Sequence, residues 1–127
     1  MTIFEHYQAR YEAAQEEEYS IAEFLEICKT DKSAYASAPE RLLMAIGEPH
    51  MVDTATDARL SRLFSNRVVA RYPAFADFYG MEDAIEQIVS YLKHAAQGLE
   101  ECKQVLYLLG PVGGGKSSIA EKLKYLM

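Results

Sequence analysis

The stretch from Gln104 to Ser117 reads QVLYLLGPVGGGKS and decides the fold. Its run from Gln104 to Leu109 is apolar and of strand length, the pattern of a strand buried on both faces of a parallel sheet. Gly110–Ser117 then matches G-x-x-x-x-G-K-[ST] without adjustment. A helical pattern from Ser118 to Met127 follows, with Ile119, Leu123 and Leu126 on its inner side. The motif therefore has the strand–loop–helix context that it requires, and it predicts an α/β P-loop fold.

The residue types in this loop suit a polyphosphate anion. Gly113, Gly114 and Gly115 permit positive φ and leave no Cβ between the main-chain amides and the anion. The helix that follows adds its dipole and its free N–H groups. We expect Lys116 to stabilise the β- and γ-phosphates and Ser117 to ligate Mg²⁺. The alternative is a flexible glycine turn, but a turn does not need Lys-Ser at this offset.

The predicted binding residues extend over the whole loop and one residue beyond it. Ser118 is included as a contact of the α-phosphate. The full set is Gly110, Pro111, Val112, Gly113, Gly114, Gly115, Lys116, Ser117 and Ser118.

The chain before the motif is predicted to be mostly helical. Capping-box spacings at Thr2/Glu5, Ser20/Glu23 and Ser37/Glu40 predict three helix starts. Further helices are expected at 57–64, with Leu60, Leu63 and Phe64 inward, and at 82–97. Residues 48–56 are predicted to be a loop, and 67–72 a short extended segment. The acidic run Glu16–Glu18 is predicted to be a solvated stretch.

Composition excludes several classes of function. The 127 residues carry 13 basic and 19 acidic side chains, and residues 1–38 alone hold eight acids and three bases. A chain this acidic is not expected to bind nucleic acid by bulk charge. No apolar run is long enough to span a bilayer, and the start has no signal-peptide pattern. Cys28 and Cys102 match no metal or redox spacing, and we expect free thiols in a reducing compartment.

Two other groups of residues suggest only ordinary roles. Four arginines concentrate positive charge at positions 59, 62, 67 and 71. They are predicted to be solvated or paired with local acids, the alternative being contact with phosphates or a neighbouring subunit. The three histidines, at positions 6, 50 and 94, have no second ligand at helical spacing, so no metal site is predicted from them.

Several segments together resemble a known family. Pro39–Leu43, Ala45–Pro49, Arg59–Arg62, Phe64–Arg67 and the run from Phe78 to Ile88, followed by the glycine-rich loop, are similar to the amino-terminal part of bacterial PrkA-type serine protein kinases. That family has an AAA+ core and is cytoplasmic. The resemblance implies ATP and Mg²⁺ as ligands, a protein substrate and possible homo-oligomers. It also implies that the turn at Tyr79, Gly80 and Met81 lies near adenine, the alternative for Tyr79 and Met81 being plain packing.

The resemblance also sets the expected organisation. Residues 1–79 are predicted to be an amino-terminal helical region, and residues 80–127 the start of an AAA+ P-loop ATPase domain. We expect the remaining catalytic parts, including an acidic strand end, sensor residues, an arginine finger and a helical lid, to lie beyond Met127. The complete protein is therefore expected to be an enzyme. The 127 residues alone are expected to be inactive and to bind ATP weakly or not at all, with the apolar strand swapped, paired with a neighbour or irregular.

Two alternatives to a kinase stay open at this point. Residues 1–79 would also suit a helical interaction module without chemistry of its own. The same loop would also serve an AAA+ remodelling or protease-linked motor, because phosphoryl transfer and mechanical work share this element.

Overall fold

The structure, a computed structural model, describes residues 2–15 and 17–127. It consists of two compact units, of which the first ends at Tyr35 and the second begins at Ala36. The boundary predicted between residues 79 and 80 lies inside the second unit. The division of the complete protein at that position stays a prediction.

The first unit contains two helices, α1 (Ile3–Ala14) and α2 (Ile21–Thr30). Their predicted capping boxes are confirmed: the Glu5 carboxylate accepts from the Thr2 amide at 2.6 Å, and Glu23 accepts from the Ser20 amide at 2.8 Å. Of the acidic run, Glu17 and Glu18 are exposed, whereas Glu16 lies outside the described residues. The apolar stripe of α1 is exposed, so this helix is stabilised by local capping rather than by burial.

The second unit is mostly helical and has one small sheet. Its elements in chain order are α3 (Ala38–Ile46), β1 (His50–Asp53), α4 (Ala58–Phe64), β2 (Val68–Arg71), α5 (Glu82–Ala96) and α6 (Lys116–Leu126). The helix α3 ends at its C-cap, Gly47, whose φ of 75° only glycine adopts readily. The Asp57 side chain begins α4 by accepting from the amides of Arg59 and Leu60.

The hydrophobic core of this unit lies around α5. Four apolar side chains of α5 face inward at helical spacing, and they pack against α3, β2 and α6; these are Ile85, Ile88, Val89 and Leu92. Ile119 of α6 is 2 % exposed and belongs to the same cluster. The helix that follows the glycine-rich loop is therefore anchored to the core. Leu63 of α4 was predicted to face inward, but it is 62 % exposed.

The loop predicted for residues 48–56 is partly wrong, because it contains β1. This strand pairs antiparallel with β2, and His50 lies opposite Arg71. The predicted extended segment at 67–72 is confirmed as β2. β1 has no local signal of its own, since its pairing depends on residues about twenty positions later in the chain.

The strand predicted at Gln104–Leu109 is not formed. These residues are extended but unpaired, and β1 and β2 make up the only sheet in the part of the chain that the structure describes. Val105, Tyr107 and Leu109 are all at least 79 % exposed, whereas Leu108 packs against the core. The alternation is that of a strand with one covered face. A strand requires hydrogen-bonding neighbours, and the described residues supply none here.

Candidate functional site

The glycine-rich loop ends at the start of α6. Lys116 and Ser117, the last two residues of the motif, form the first turn of this helix, which begins two residues earlier than predicted. Gly113 and Gly115 have φ of 79° and 82°, values that favour glycine. The residues from Val112 to Ser118 line a depression with a volume of about 390 Å³. The loop therefore forms an open hollow over the first turn of α6.

The amino-terminal end of α6 suits an anion. Its cap is Gly115, which offers no side chain to the first amides of the helix. The first amides of any helix lack carbonyl partners within it, and the helix dipole makes this end positive. Ser117 and Ser118 are exposed in the same turn, so their hydroxyl groups are accessible from the hollow.

Lys116 is folded back onto the loop. Its ammonium donates a hydrogen bond to the carbonyl of Gly110 and another to the carbonyl of Pro111, the latter at 2.8 Å. The side chain is half-buried. The cation therefore lies at the loop, and its partners among residues 2–15 and 17–127 are main-chain oxygens, which bind it more weakly than an anion does.

Gly114 and Gly115 are closely packed. A Cβ on Gly114 would lie 3.0 Å from the Pro111 carbonyl oxygen, which accepts a hydrogen bond from the Gly114 amide at 3.1 Å. A Cβ on Gly115 would lie 2.9 Å from the sulfur of Met81. The contact between Met81 and Gly115 joins the start of α5 to the start of α6.

The three residues of the predicted adenine turn are separated by the structure. Met81 touches the loop, as described. Tyr79 is 81 % exposed and does not line the hollow or the adjoining groove. Gly80 has a φ of 75° and faces Leu63 rather than the loop. Of this turn, only Met81 lies at the candidate site.

A groove of about 420 Å³ adjoins the loop. One wall is formed by Met81 and, within α5, by Ala84, Gln87 and Ile88, and the other is the extended segment from Leu106 to Pro111. Tyr91 of α5 holds the start of this segment by donating to the Gln104 carbonyl at 2.7 Å. Lys116 reaches the end of the groove. The groove and the hollow therefore meet at the same cation.

Of the four arginines between residues 59 and 71, two are paired with acids at the start of α5. Arg67 binds Asp83 at 3.0 Å, and Arg71 lies 3.7 Å from Glu82. Arg59 and Arg62 are exposed. The prediction of solvated or locally paired arginines is confirmed. The sequence offered no signal that both acidic partners would be in the first turn of α5.

The described residues also bear on metal binding, on the state of the two cysteines and on membrane spans. They contain no cluster of three or more His, Cys, Asp or Glu side chains arranged to hold a metal ion. Cys28 and Cys102 are free thiols. None of the helices that the structure describes has the length and apolar character needed to cross a bilayer.

Comparison with known proteins defines the class first as an AAA domain. The family model described as "PrkA AAA domain" matches residues 19–127. The chain belongs to this PrkA family, which confirms the resemblance seen in the sequence. No solved structure gives a significant match.

Two relatives illustrate the range of names in the family. The chain is 77% identical over all 127 residues to the "Serine/threonine kinase YeaG" of Escherichia coli (strain K12), and it covers 20% of that protein. It is 32% identical over 108 residues, or 84% of the chain, to the "ATP-dependent protease PrkA" of Bacillus subtilis (strain 168), and this match covers 15% of that protein. The chain thus spans about a fifth or less of the length of these curated relatives.

Proposed function

We propose that this chain supplies the phosphate-binding part of an ATP- and Mg²⁺-dependent AAA protein, and that the complete polypeptide transfers phosphate from ATP to serine or threonine of a protein substrate. The observation that carries the proposal is the open amino-terminal end of α6, reached through left-handed Gly113 and Gly115 and followed at once by Lys116. The name of the 77%-identical relative supports the kinase activity.

Each loop residue has a distinct role in this proposal. The main-chain amides at the start of α6 donate to phosphate oxygens, and glycine at positions 113–115 allows a close approach. Lys116 exchanges the carbonyls of Gly110 and Pro111 for the β- and γ-phosphates. Ser117 contributes a hydroxyl ligand to Mg²⁺, and Ser118 contacts the α-phosphate. When bound, ATP supplies the phosphoryl group that is transferred.

The same proposal assigns a role to the extended segment at 104–109. We infer that it is the first core strand of an α/β P-loop fold and pairs with strands supplied by the rest of the polypeptide. Its alternating exposure supports this, because Val105, Tyr107 and Leu109 point away from the core. Unpaired apolar segments of this kind are normally covered by a neighbour.

Nucleotide binding by the full polypeptide tests the phosphate role. Lys116→Ala should abolish measurable ATP binding in calorimetry, because the loop loses its only charged side chain. The matched control is Lys124→Ala, since Lys124 is exposed on the same helix and pairs with Glu121 instead. Equal ATP affinity of wild type and Lys116→Ala would refute the proposal.

A second activity has support from the relative in Bacillus, whose name is that of an ATP-dependent protease. An ATP-driven protease would use the same loop, so binding measurements cannot separate the two. The full polypeptide should therefore be incubated with a protein substrate and γ-labelled ATP. Label on serine or threonine supports the kinase, whereas ATP-dependent peptide fragments without label support the protease.

A further inference from the structure

The contact between Met81 and Gly115 depends on the position of the first turn of α5. Met81 immediately precedes α5, which begins at Glu82, and its sulfur lies 2.9 Å from the position that a Cβ on Gly115 would take. Gly115 is the residue at which the loop becomes α6. A shift of Met81 would therefore change the space in which Gly115 and the adjoining amides are held.

Two arginines of β2 and its preceding turn hold that first turn. The Arg67 guanidinium donates to both carboxylate oxygens of Asp83, at 3.0 and 3.2 Å. At the other end of the strand, Arg71 lies 3.7 Å from the carboxylate of Glu82. Consecutive acids at the start of α5 are thus each paired with an arginine from the same short strand region.

The backbone around Arg67 is unusually constrained. Ser65 and Asn66 precede it with φ of 53° and 61°, a conformation that non-glycine residues adopt at a cost. The carbonyl of Arg67 accepts hydrogen bonds from both the amide and the hydroxyl of Thr54, which is fully buried. The Arg67 side chain also donates to the Phe64 carbonyl at 3.2 Å. The direction of this guanidinium is therefore fixed by its own segment.

Glu82 is a costly residue at its position. It is 4 % exposed, and its second carboxylate oxygen is buried without a hydrogen-bond partner in the described residues. Burial of such a group is unfavourable unless it is well paired, so the Glu82–Arg71 pair is weak evidence for stability. An apolar side chain would be less costly at this position. We therefore attribute the charge of Glu82 to a role in orienting the first turn of α5.

We propose that Arg67 and Arg71 are positioning residues for nucleotide binding. They hold the first turn of α5 so that Met81 fixes Gly115 and the amides of α6 in the arrangement that binds phosphate. The inference rests on the phosphate role proposed above for the loop. It adds a set of residues outside the motif that set the affinity of the motif.

The first test changes the contact itself in the full polypeptide, with ATP affinity measured by calorimetry. Met81→Ala should weaken ATP binding by about tenfold, because Gly115 loses its packing partner. Met81→Leu conserves the volume and should keep the affinity within about twofold of wild type. The midpoint of thermal unfolding without nucleotide is measured for each, since a purely structural role would change stability of both the nucleotide-free and bound states and leave affinity unaltered.

The second test changes the arginine pairs. Arg67→Met should weaken ATP binding by about fivefold, and the exchange Arg67→Asp with Asp83→Arg should restore most of the affinity. Arg62→Met is the control, because Arg62 is exposed on α4 and has no ion pair among the described residues. If Arg67→Met does not fold, the two Met81 variants decide the question alone.

The outcomes separate this inference from the proposed function. If Lys116→Ala binds ATP as wild type does, the phosphate role fails and this inference fails with it. If Lys116→Ala abolishes binding while Met81→Ala and Arg67→Met keep wild-type affinity, only the positioning role is refuted. Loss of affinity in both, with rescue by Met81→Leu and by the charge exchange, supports it.

Discussion

The starts of α1, α2 and α3 differ from the start of α6. At α1, α2 and α3 a glutamate three residues into the helix turns back and accepts from the amide of the residue that begins it. At α6 the residue that precedes the helix is Gly115, and no side chain caps the helix. A carboxylate already occupies the positive end of the first three helices, whereas the end of α6 is open. The difference indicates which helix can accept an external anion.

The largest expected effect comes from placing a side chain at the amino-terminal end of α6. Gly115→Ala introduces a Cβ at positive φ and directly against Met81, so it should abolish ATP binding by the full polypeptide. Gly98→Ala is the matched control, because Gly98 also has positive φ but nothing lies near its Cβ position. Both should lose about 1–2 kcal/mol of unfolding free energy, measured by urea denaturation. Equal ATP affinity of the two variants would contradict the comparison.

A second prediction concerns the extended segment at 104–109, which leads to the glycine-rich loop and α6. The 127-residue chain should bind ATP at least about tenfold more weakly than the full polypeptide, because an unpaired strand holds the loop in its binding arrangement only part of the time. It should also self-associate in sedimentation experiments. Tyr107→Lys, which places a charge on the exposed apolar face, should reduce that association. A monodisperse monomer with full ATP affinity would show that the loop is independent of its neighbours.

Removing the side-chain cap at the start of α3 should have a smaller effect. Glu40→Ala removes the acceptor of the Ser37 amide at the start of α3 and should lower the unfolding free energy. Because α3 packs against α5 and α6, calorimetric unfolding should report this loss for the second unit as a whole. ATP affinity should change less than twofold, since α3 does not line the hollow. A large loss of affinity would mean that a capped start also contributes to binding.

The smallest expected effect is a loss of folding stability at acidic pH. Hydrogen bonds from the Ser37 amide and hydroxyl lower the pKa of Glu40 below its usual value near 4.5. A lowered folded-state pKa adds stability above the unfolded value, and this stability is lost as the pH falls through the folded pKa. Thermal midpoints of wild type should therefore fall more steeply below pH 4.5 than those of Glu40→Gln. Parallel pH profiles of wild type and Glu40→Gln would show that the Glu40 carboxylate adds no pH-dependent stability.

Local signals predicted most of the helices. Capping spacings, Gly47 and the apolar periodicity of α5 act within one or two turns, so the sequence alone located these helices to within about two residues. The strand β1 was missed because its partners lie around Arg71. The strand at 104–109 was predicted from its composition, but formation of a strand depends on neighbours that composition does not specify.

The candidate site was predictable only within its motif. Gly113, Gly115 and Lys116 follow from a contiguous pattern with a physical purpose, whereas the contact of Met81 with Gly115 joins residues more than thirty positions apart. Tyr79 was placed with Met81 near adenine by the family resemblance, and its side chain is exposed to solvent.

The resting position of Lys116 has a consequence for release of a bound nucleotide. Its ammonium has two carbonyl acceptors waiting on the loop, those of Gly110 and Pro111. When a nucleotide leaves, the cation therefore does not remain stranded without a partner. In the nucleotide-binding role proposed above, these carbonyl acceptors would compete with phosphate for the cation and so trade some affinity for faster exchange of nucleotide.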